Sequence, residues 1–520
     1  MPNPQSQALS IPELLDNIFK HLDKRSNSTN IRVCKRWLDV CLPVFWHALE
    51  SKADIRRLYT LLVPLTPVPT YYELERIPRK EDWERFLRYA SLVRTIVIED
   101  ILDYGRATHI IPTMRPVFNV FPNLRSLECR NQQPGRMSIQ VYVLFMHPNV
   151  KRFVISCSKE AGSLLSSWVE PVSRMSGLVY LQIKAPAFNF DAFRDMVGAL
   201  PFLETIVLPR LQLYHGVIQT VSRLPRLREL VANESAPASE DIFALPILEA
   251  CLEEGAFPAL DTLTACGEAK YLPKFLQDPF FPSSIRGLHL ETTDQEPEDV
   301  IQSIIASVSE ACPHLEVFSF TDVFYLEAAD VDSDEDPDDI PPKGVITLRI
   351  LQPLLTSLRL TTLQIRHRFP ISMSDEDVVE LARAMPQIEH LFLNETPRED
   401  RPIEQHTLTL DVLPPIAEAC PRLLSLGLYL ETSLGYDDLP LEMRAFKVLR
   451  EFHVGGSYIE SECVDDVALF MVQVLPMGCR VLPDLKGDVS EVTRAWLRVM
   501  DMLPTLARMR DITLRSVQRG

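Results

Sequence analysis

One pattern limits what this chain can fold into: an apolar residue followed by further apolar residues three and five places on. It starts at Val93, Leu124, Val150, Leu178, Leu203, Leu227, Leu260, Ile285, Leu315, Leu360, Ile388, Leu423 and Leu449. Successive starts lie 24 to 35 residues apart, except for an interval of 45 between Leu315 and Leu360. In a chain that is 46% hydrophobic, such triads arise by chance at about one start in ten. Proline supplies the discrimination. It stands two residues before eight of the thirteen starts, as in FPNLRSL, LPRLREL, CPHLEVF and CPRLLSL, where 41 prolines in 520 residues predict about one. A period of this length is the mark of a repeat array, in which each unit buries its apolar face only by stacking on its neighbours.

Each unit reads as one strand plus one helix. The strand is the triad, and helical segments such as EDVIQSIIASVSEAC and DEDVVELARAM lie between triads. Side chains alternate along a strand, so positions three and five after a start point inward while two, four and six line the open sheet. That open face takes in Arg130, Arg152, Tyr180, Lys184, Thr205, Val207, Glu229, Val231, His289, Arg366, His390, Phe392, Tyr429 and Glu451. Interface energy concentrates in aromatic and arginine anchors, which favours Tyr180, Arg366, His390, Phe392 and Tyr429 as candidate substrate-binding residues. The long interval contains Glu327 to Pro342, EAADVDSDEDPDDIPP, with eight acids and no base. It reads as a solvated, disordered loop, with Ser333 among the acids as a candidate phosphorylation site. A doubly wound α/β enzyme also alternates strands and helices, but no G-x-G-x-x-G, P-loop or G-x-S-x-G occurs, and 17 glycines are too few for several phosphate-cradling turns.

The N-terminus is different. Ser10, Ile11, Pro12 and Glu13 have the form of a capping box, so a helix starts here. Leu15, Ile18 and Leu22 fall along one stripe of it, widened by Leu14 and Phe19. After a polar break, KRSNSTN, a second helical run carries Val33, Cys34, Trp37, Val40 and Cys41, and Pro43 opens a third with Phe45, Trp46 and Leu49. About forty residues bury too little surface to stand comfortably alone. A helical cap on the following domain is the plain reading. The four prolines of residues 64 to 80 suggest a turn-rich connector, either hinge or ordered elbow, before a helix from Glu81 to Leu92 with Trp83, Phe86, Leu87 and Ala90 on one face. Past Leu449 the rhythm fades; VSEVTRAWLRVMDML reads as a helix and MRDITLRS as one more strand.

SIPELLDNIFKHL followed by VCKRWLDVCLPVFWHAL closely resembles the F-box, and the Ala-Cys-Pro-x-Leu junctions at Ala311 and Ala419 resemble those of the leucine-rich repeats that accompany F-boxes. The chain thus resembles the fungal F-box domain-containing family. The resemblance implies an α/β fold: a short three-helix F-box, then a leucine-rich-repeat solenoid with parallel strands on the concave face and helices on the convex face. The implied organisation is a tail (1–8), the F-box (9–50), a connector (51–92), the solenoid (93–455, with the acidic insert at 327–342), and terminal repeats with a cap (456–520). By resemblance, Pro12, Leu14, Leu15, Ile18, Phe19, Leu22, Val33, Cys34 and Trp37 form or support a surface for the Skp-type adaptor of a cullin ubiquitin ligase. The family commonly has apolar residues where this chain has Ser26, Asn27, Ser28, Thr29 and Asn30. The expected function is substrate recognition for an SCF-type ligase, with an unidentified protein substrate on the concave face; a repeat scaffold acting outside the ligase is the alternative.

Other classes are disfavoured. With 71 acidic against 53 basic residues the formal charge is -18, which repels a phosphate backbone. No apolar stretch approaches a membrane span, and no basic head with an apolar run begins the chain, so the expected setting is a reducing cytosol or nucleus. Ten cysteines show no CxxC pair, and the histidines show no HxH or HExxH, so no metal, cofactor or catalytic residue is expected and the chain is not read as an enzyme. Cys129, Cys312 and Cys420 read as small buried hydrophobes. The sequons at Asn27, Asn233 and Asn394 read as chance.

Overall fold

The computed structural model describes residues 9, 11–69, 71–99, 107–131, 142–157, 163–185, 188–210, 213–233, 248, 252–292, 297–322, 345–356, 359–397, 408–432, 443–484 and 491–517. The acidic insert, Ser333 and Ser10 lie outside them. The chain forms two compact units, the first made of residues 1–212 and 224–239, the second of 213–223 and 240–520.

The first unit opens with three helices: α1 (Pro12–Lys20), α2 (Lys24–Asn30) and α3 (Lys35–Trp46). Their limits differ from those expected. Ile11, rather than Ser10, occupies the N-cap position of α1 and makes no side-chain cap bond. The polar run KRSNSTN is not a break but α2 itself. Asp23 caps it by accepting from the Ser26 N–H at 2.7 Å, and Asn27, buried, donates to the carbonyls of Phe19 (2.8 Å) and Leu22 (3.3 Å). Those two bonds tie α2 to the last turn of α1 and the residues just after it, where the Phe19 carbonyl also accepts from the Leu22 N–H. A sequence with no apolar periodicity is thereby pinned as a helix. Pro43 opens nothing; it sits inside α3, where the Asp39 carbonyl it cannot satisfy belongs to an exposed residue.

Chain leaving α3 pairs at once with the repeat sheet: β1 (Ala48–Leu49) lies parallel to β4 (Thr95–Glu99), and the His47 carbonyl accepts from Arg94 and Thr95. Between them run α4 (Lys52–Leu62), a hairpin of β2 (Leu65–Val68) and β3 (Tyr71–Leu74), and α5 (Lys80–Ala90), which buries Trp83, Phe86 and Ala90. The proline-rich connector is therefore an ordered elbow containing a two-stranded element. Proline is tolerated there because both strands are edges.

The parallel ladder continues through β5 (Ser126–Asn131), β6 (Arg152–Cys157), β7 (Tyr180–Lys184), β8 (Thr205–Pro209) and β9 (Glu229–Asn233), with α6 (Ala107–Met114), α7 (Val169–Ser173) and α8 (Phe190–Gly198) in the crossovers. In the second unit α9 (His215–Ser222) and α10 (Leu272–Leu276) flank the chain of β10 (Thr262–Cys266), and β11 (Gly287–Thr292), α11 (Glu298–Ala311), β12 (Val317–Asp322), α12 (Leu348–Leu351), β13 (Thr362–Arg366), α13 (Asp375–Ala384), β14 (His390–Leu393), α14 (Leu413–Ala419), β15 (Ser425–Leu428), β16 (Glu451–Gly455), α15 (Val464–Val474), β17 (Arg480–Pro483) and α16 (Glu491–Val517) follow. Strands β10 to β17 form one parallel ladder in chain order, and successive helices from α10 to α16 pack on one another.

The repeat has a local cause. All thirteen triads are strands β4 to β16, and every triad residue is buried. The carbonyl three residues before a start accepts from the start's own N–H, as in Leu124 to Phe121 (3.1 Å), Leu315 to Cys312 (3.2 Å) and Leu423 to Cys420 (3.2 Å). Proline then occupies the second position of a β-turn, where its fixed φ is preorganised. At eleven of the thirteen starts the carbonyl one residue on accepts two consecutive N–H groups of the next repeat, as the Glu389 carbonyl does from Leu424 and Ser425. That shared acceptor sets the register. Cys312 and Cys420 are buried at these junctions, and the Cys420 thiol donates to the Ala382 carbonyl at 3.4 Å. Burial pushes both thiols up to about 12.

The end of the chain departs from expectation. MRDITLRS belongs to α16, a single helix of 27 residues, and the last strand is instead β17. No proline or glycine follows Pro504 before the helix ends, and Met509 and Ile512 are exposed.

Candidate functional site

Helix α1 has two apolar faces. Leu15 and Phe19, four residues apart, are 0% and 1% exposed and form a core with Cys41, against which Ile31, Trp37, Val40 and Val44 pack. Phe19 meets Trp37 edge to face at 5.4 Å. Ile11, Leu14, Ile18 and Leu22 follow heptad-like spacing on the other side and keep 41 to 45% exposure. Val33 is more exposed still, Pro12 and Cys34 are exposed, and Trp37 is half-buried. The nine residues singled out at the N-terminus thus divide: Leu15 and Phe19, with Trp37, build the helical unit, while Leu14, Ile18, Leu22 and Val33 face solvent. The exposed apolar side chains Leu14, Ile18 and Leu22 thus stand on the side of α1 away from its own core and form an exposed surface.

This surface is held firmly. Asp54, buried near the start of α4, accepts from Lys24 of α2 at 2.6 Å, and Lys24 also donates to the Ala48 carbonyl in β1. Burial pushes the Asp54 carboxyl up while the hydrogen bond and charge of Lys24 pull it down, and the balance lies below its ordinary value of 3.8. One ion pair therefore joins α2, β1 and α4.

The open face of the sheet carries the second group of candidates. In the first unit Tyr180 is half-buried, with the Arg152 guanidinium 4.6 Å over its ring and its hydroxyl bonded to Gln182 at 3.2 Å. Val207, expected on the open face, is 8% exposed, and Val97, Val154 and Gln182 are likewise buried. Val154, Gln182 and Val207 are direct neighbours across β6, β7 and β8, on strands about 4.8 Å apart, and so cover one another. In the second unit Arg366, His390, Phe392 and Tyr429 are half-buried. Arg366 lies 3.8 Å from Glu395, and Phe392 stacks edge to face on His453 at 5.1 Å. His453 also stands 3.5 Å from Glu451, which pairs with Arg480. The structure brings Phe392 together with His453, a histidine that belongs to no motif in the sequence. Both stand four residues after a triad start with one repeat between them, and that offset is the signal that relates them.

Asn394 explains a sequon. It has φ of 52°, is fully buried, accepts from the His367 N–H at 3.0 Å and donates to the Phe369 carbonyl at 2.6 Å. Asn27 is similarly enclosed. Neither amide is accessible to a modifying enzyme. Among the described residues no cluster of three or more histidine, cysteine or acidic side chains has metal-binding geometry, and no helix is long and apolar enough to cross a membrane.

No family model and no curated protein matches this chain. Among solved structures, the crystal structure of the Rad7 and Elc1 complex in yeast is similar with a TM-score of 0.36 and 14% identity, covering 82% of this chain and 94% of that one. That score is too low for a shared fold to be read from it.

Proposed function

We propose that this chain is the substrate-recognition adaptor of an SCF-type ubiquitin ligase. The three N-terminal helices act as an F-box whose exposed stripe docks on the Skp-type adaptor and through it on the cullin, and the repeat sheet holds a protein substrate. The observation that carries this reading is the pair of faces on α1: Leu15 and Phe19 complete the helical core, while Ile11, Leu14, Ile18 and Leu22 are left in solvent. A helix that merely capped the repeats would bury its widest apolar stripe against them. Taking a leucine or isoleucine from half-exposed to buried contributes on the order of 1 kcal/mol, so this stripe can supply a substantial part of a specific interface.

The chain's own contribution is proximity rather than chemistry. The Lys24–Asp54 pair and the β1–β4 pairing join the docking helices to the first repeats without a slack linker, so a bound substrate is held at high effective concentration near the transfer machinery. The setting is the cytosol or nucleus. Co-expression with a Skp-type adaptor and a cullin tests this: the three are expected to co-elute, and a folded chain that elutes apart from both contradicts the reading.

A further inference from the structure

At the far end of the second unit, the turn before β17 and the facing sides of α15 and α16 enclose a cleft of about 460 Å³. Its walls include Met471, Met477, Met500 and Leu503, and its charged members are Arg480 and Arg508. The cleft has structural reasons to stay open. The first half of α16 is anchored by buried Ala495, Trp496 and Val499, with the Trp496 indole donating to the Ser457 carbonyl at 2.8 Å, but after Met500 the helix runs on at only partial burial. Arg510 holds this second half by donating to the carbonyls of Val472 and Leu475, at and just past the end of α15, and is itself not among the residues that line the cleft. Met477 is left 58% exposed at the mouth. Cys479, in the wall, has its thiol pushed up to about 12, first by burial and then by the charge of Glu451, and so behaves as an apolar group at neutral pH.

We propose that this cleft is a docking site for a short segment of a partner protein that inserts an apolar side chain and carries a carboxylate beside it. Three observations select that chemistry. The volume lies in the range that accepts one or two large side chains. Unbranched, polarisable methionines adapt their shape to an inserted group. Arg480 is already neutralised by Glu451, whereas Arg508 is exposed at the rim with no hydrogen bond or ion pair among the described residues, which places an unmatched positive charge beside the apolar opening in a chain of net charge -18. A docked segment with an acidic flank supplies the missing partner. The site is separate from the α1 stripe and independent of the ligase reading.

The test is a random peptide library selected on the intact chain, followed by anisotropy titration of the tightest peptide, fluorescein-labelled. The expected peptides pair an apolar residue with a glutamate or aspartate. Ala507→Trp, on the cleft wall, fills the space and weakens binding about tenfold. Arg508→Glu weakens it comparably, and replacing the peptide's acid with lysine restores binding to that variant alone. Met477→Glu, at an exposed position, replaces Ala507→Trp if the latter lowers the melting temperature. Peptides that bind parent and variants alike, or show no acidic preference, overturn the proposal. So does sedimentation showing a dimer of the chain that Ala507→Trp dissociates, since the occupant is then a second copy.

Discussion

The imidazole of His453 meets the Phe392 ring edge to face at 5.1 Å, across an intervening strand whose residue at that level is Gly427. A Cβ built on Gly427 falls 2.5 Å from Phe392 Cδ1, so the absence of a side chain is what lets the two rings meet over β15. Gly427→Ala is expected to displace the Phe392 ring and destabilise the fold by about 1–3 kcal/mol, read from urea unfolding. In a Phe392→Ala background the same substitution becomes nearly neutral. Additive effects of the two changes would show that the rings are not coupled through this position.

His367 gives the second unit a pH dependence. Its pKa is lowered from 6.5 to about 4, chiefly by burial, with the Phe369 carbonyl opposing and Arg368 assisting. A histidine that is neutral in the fold and charges readily when unfolded stabilises the protein fully above pH 6.5, and that contribution is lost as the pH falls toward 4. The shift corresponds to on the order of 3 kcal/mol. Stability measured between pH 7 and 4.5 is expected to fall for the parent and to fall less steeply for His367→Gln; parallel curves would remove His367 from the account.

Asp54 acts lower on the pH scale. Its carboxyl titrates below 3.8 in the fold, so its contribution is intact above that value and disappears as the pH drops through the lower folded value. At neutral pH, Asp54→Asn removes the ion pair with Lys24, which is about one-third exposed, and is expected to cost on the order of 1–2 kcal/mol. The more telling effect is local. Amide hydrogen exchange should quicken in α2 and at the start of α4 while β5 to β9 stay protected; uniform quickening would mean that Asp54 does not join these elements specifically.

The repeats were legible because their signal is local and redundant: each triad supplies three buried positions, and the preceding proline marks the turn. What escaped has equally local causes. The seven residues of α2 contain no apolar side chain, and the Asp23 cap together with the position of Asn27 beneath the end of α1 shows why they are helical. Strands β1 and β17 are short and lack the triad, since one is two residues long and the other has a single fully enclosed residue, Val481. On α1, the pattern Leu14, Leu15, Ile18, Phe19, Leu22 identifies an apolar helix but not which side meets its own chain. That division required α3, whose Trp37 and Cys41 take Phe19 and Leu15 and leave Leu14 and Ile18 outside.

The division on α1 is also where the account is most exposed to test. Calorimetric titration of the intact chain with a purified Skp-type adaptor should give a defined affinity, and Leu14→Ser with Ile18→Ser should weaken it by roughly 30-fold, about 2 kcal/mol, with the melting temperature unchanged. Leu15→Ala should instead lower the melting temperature, as a cavity in the core does. Unchanged affinity in the Leu14→Ser, Ile18→Ser variant, or no binding by the folded parent, would contradict the claim that this stripe is the adaptor-docking surface.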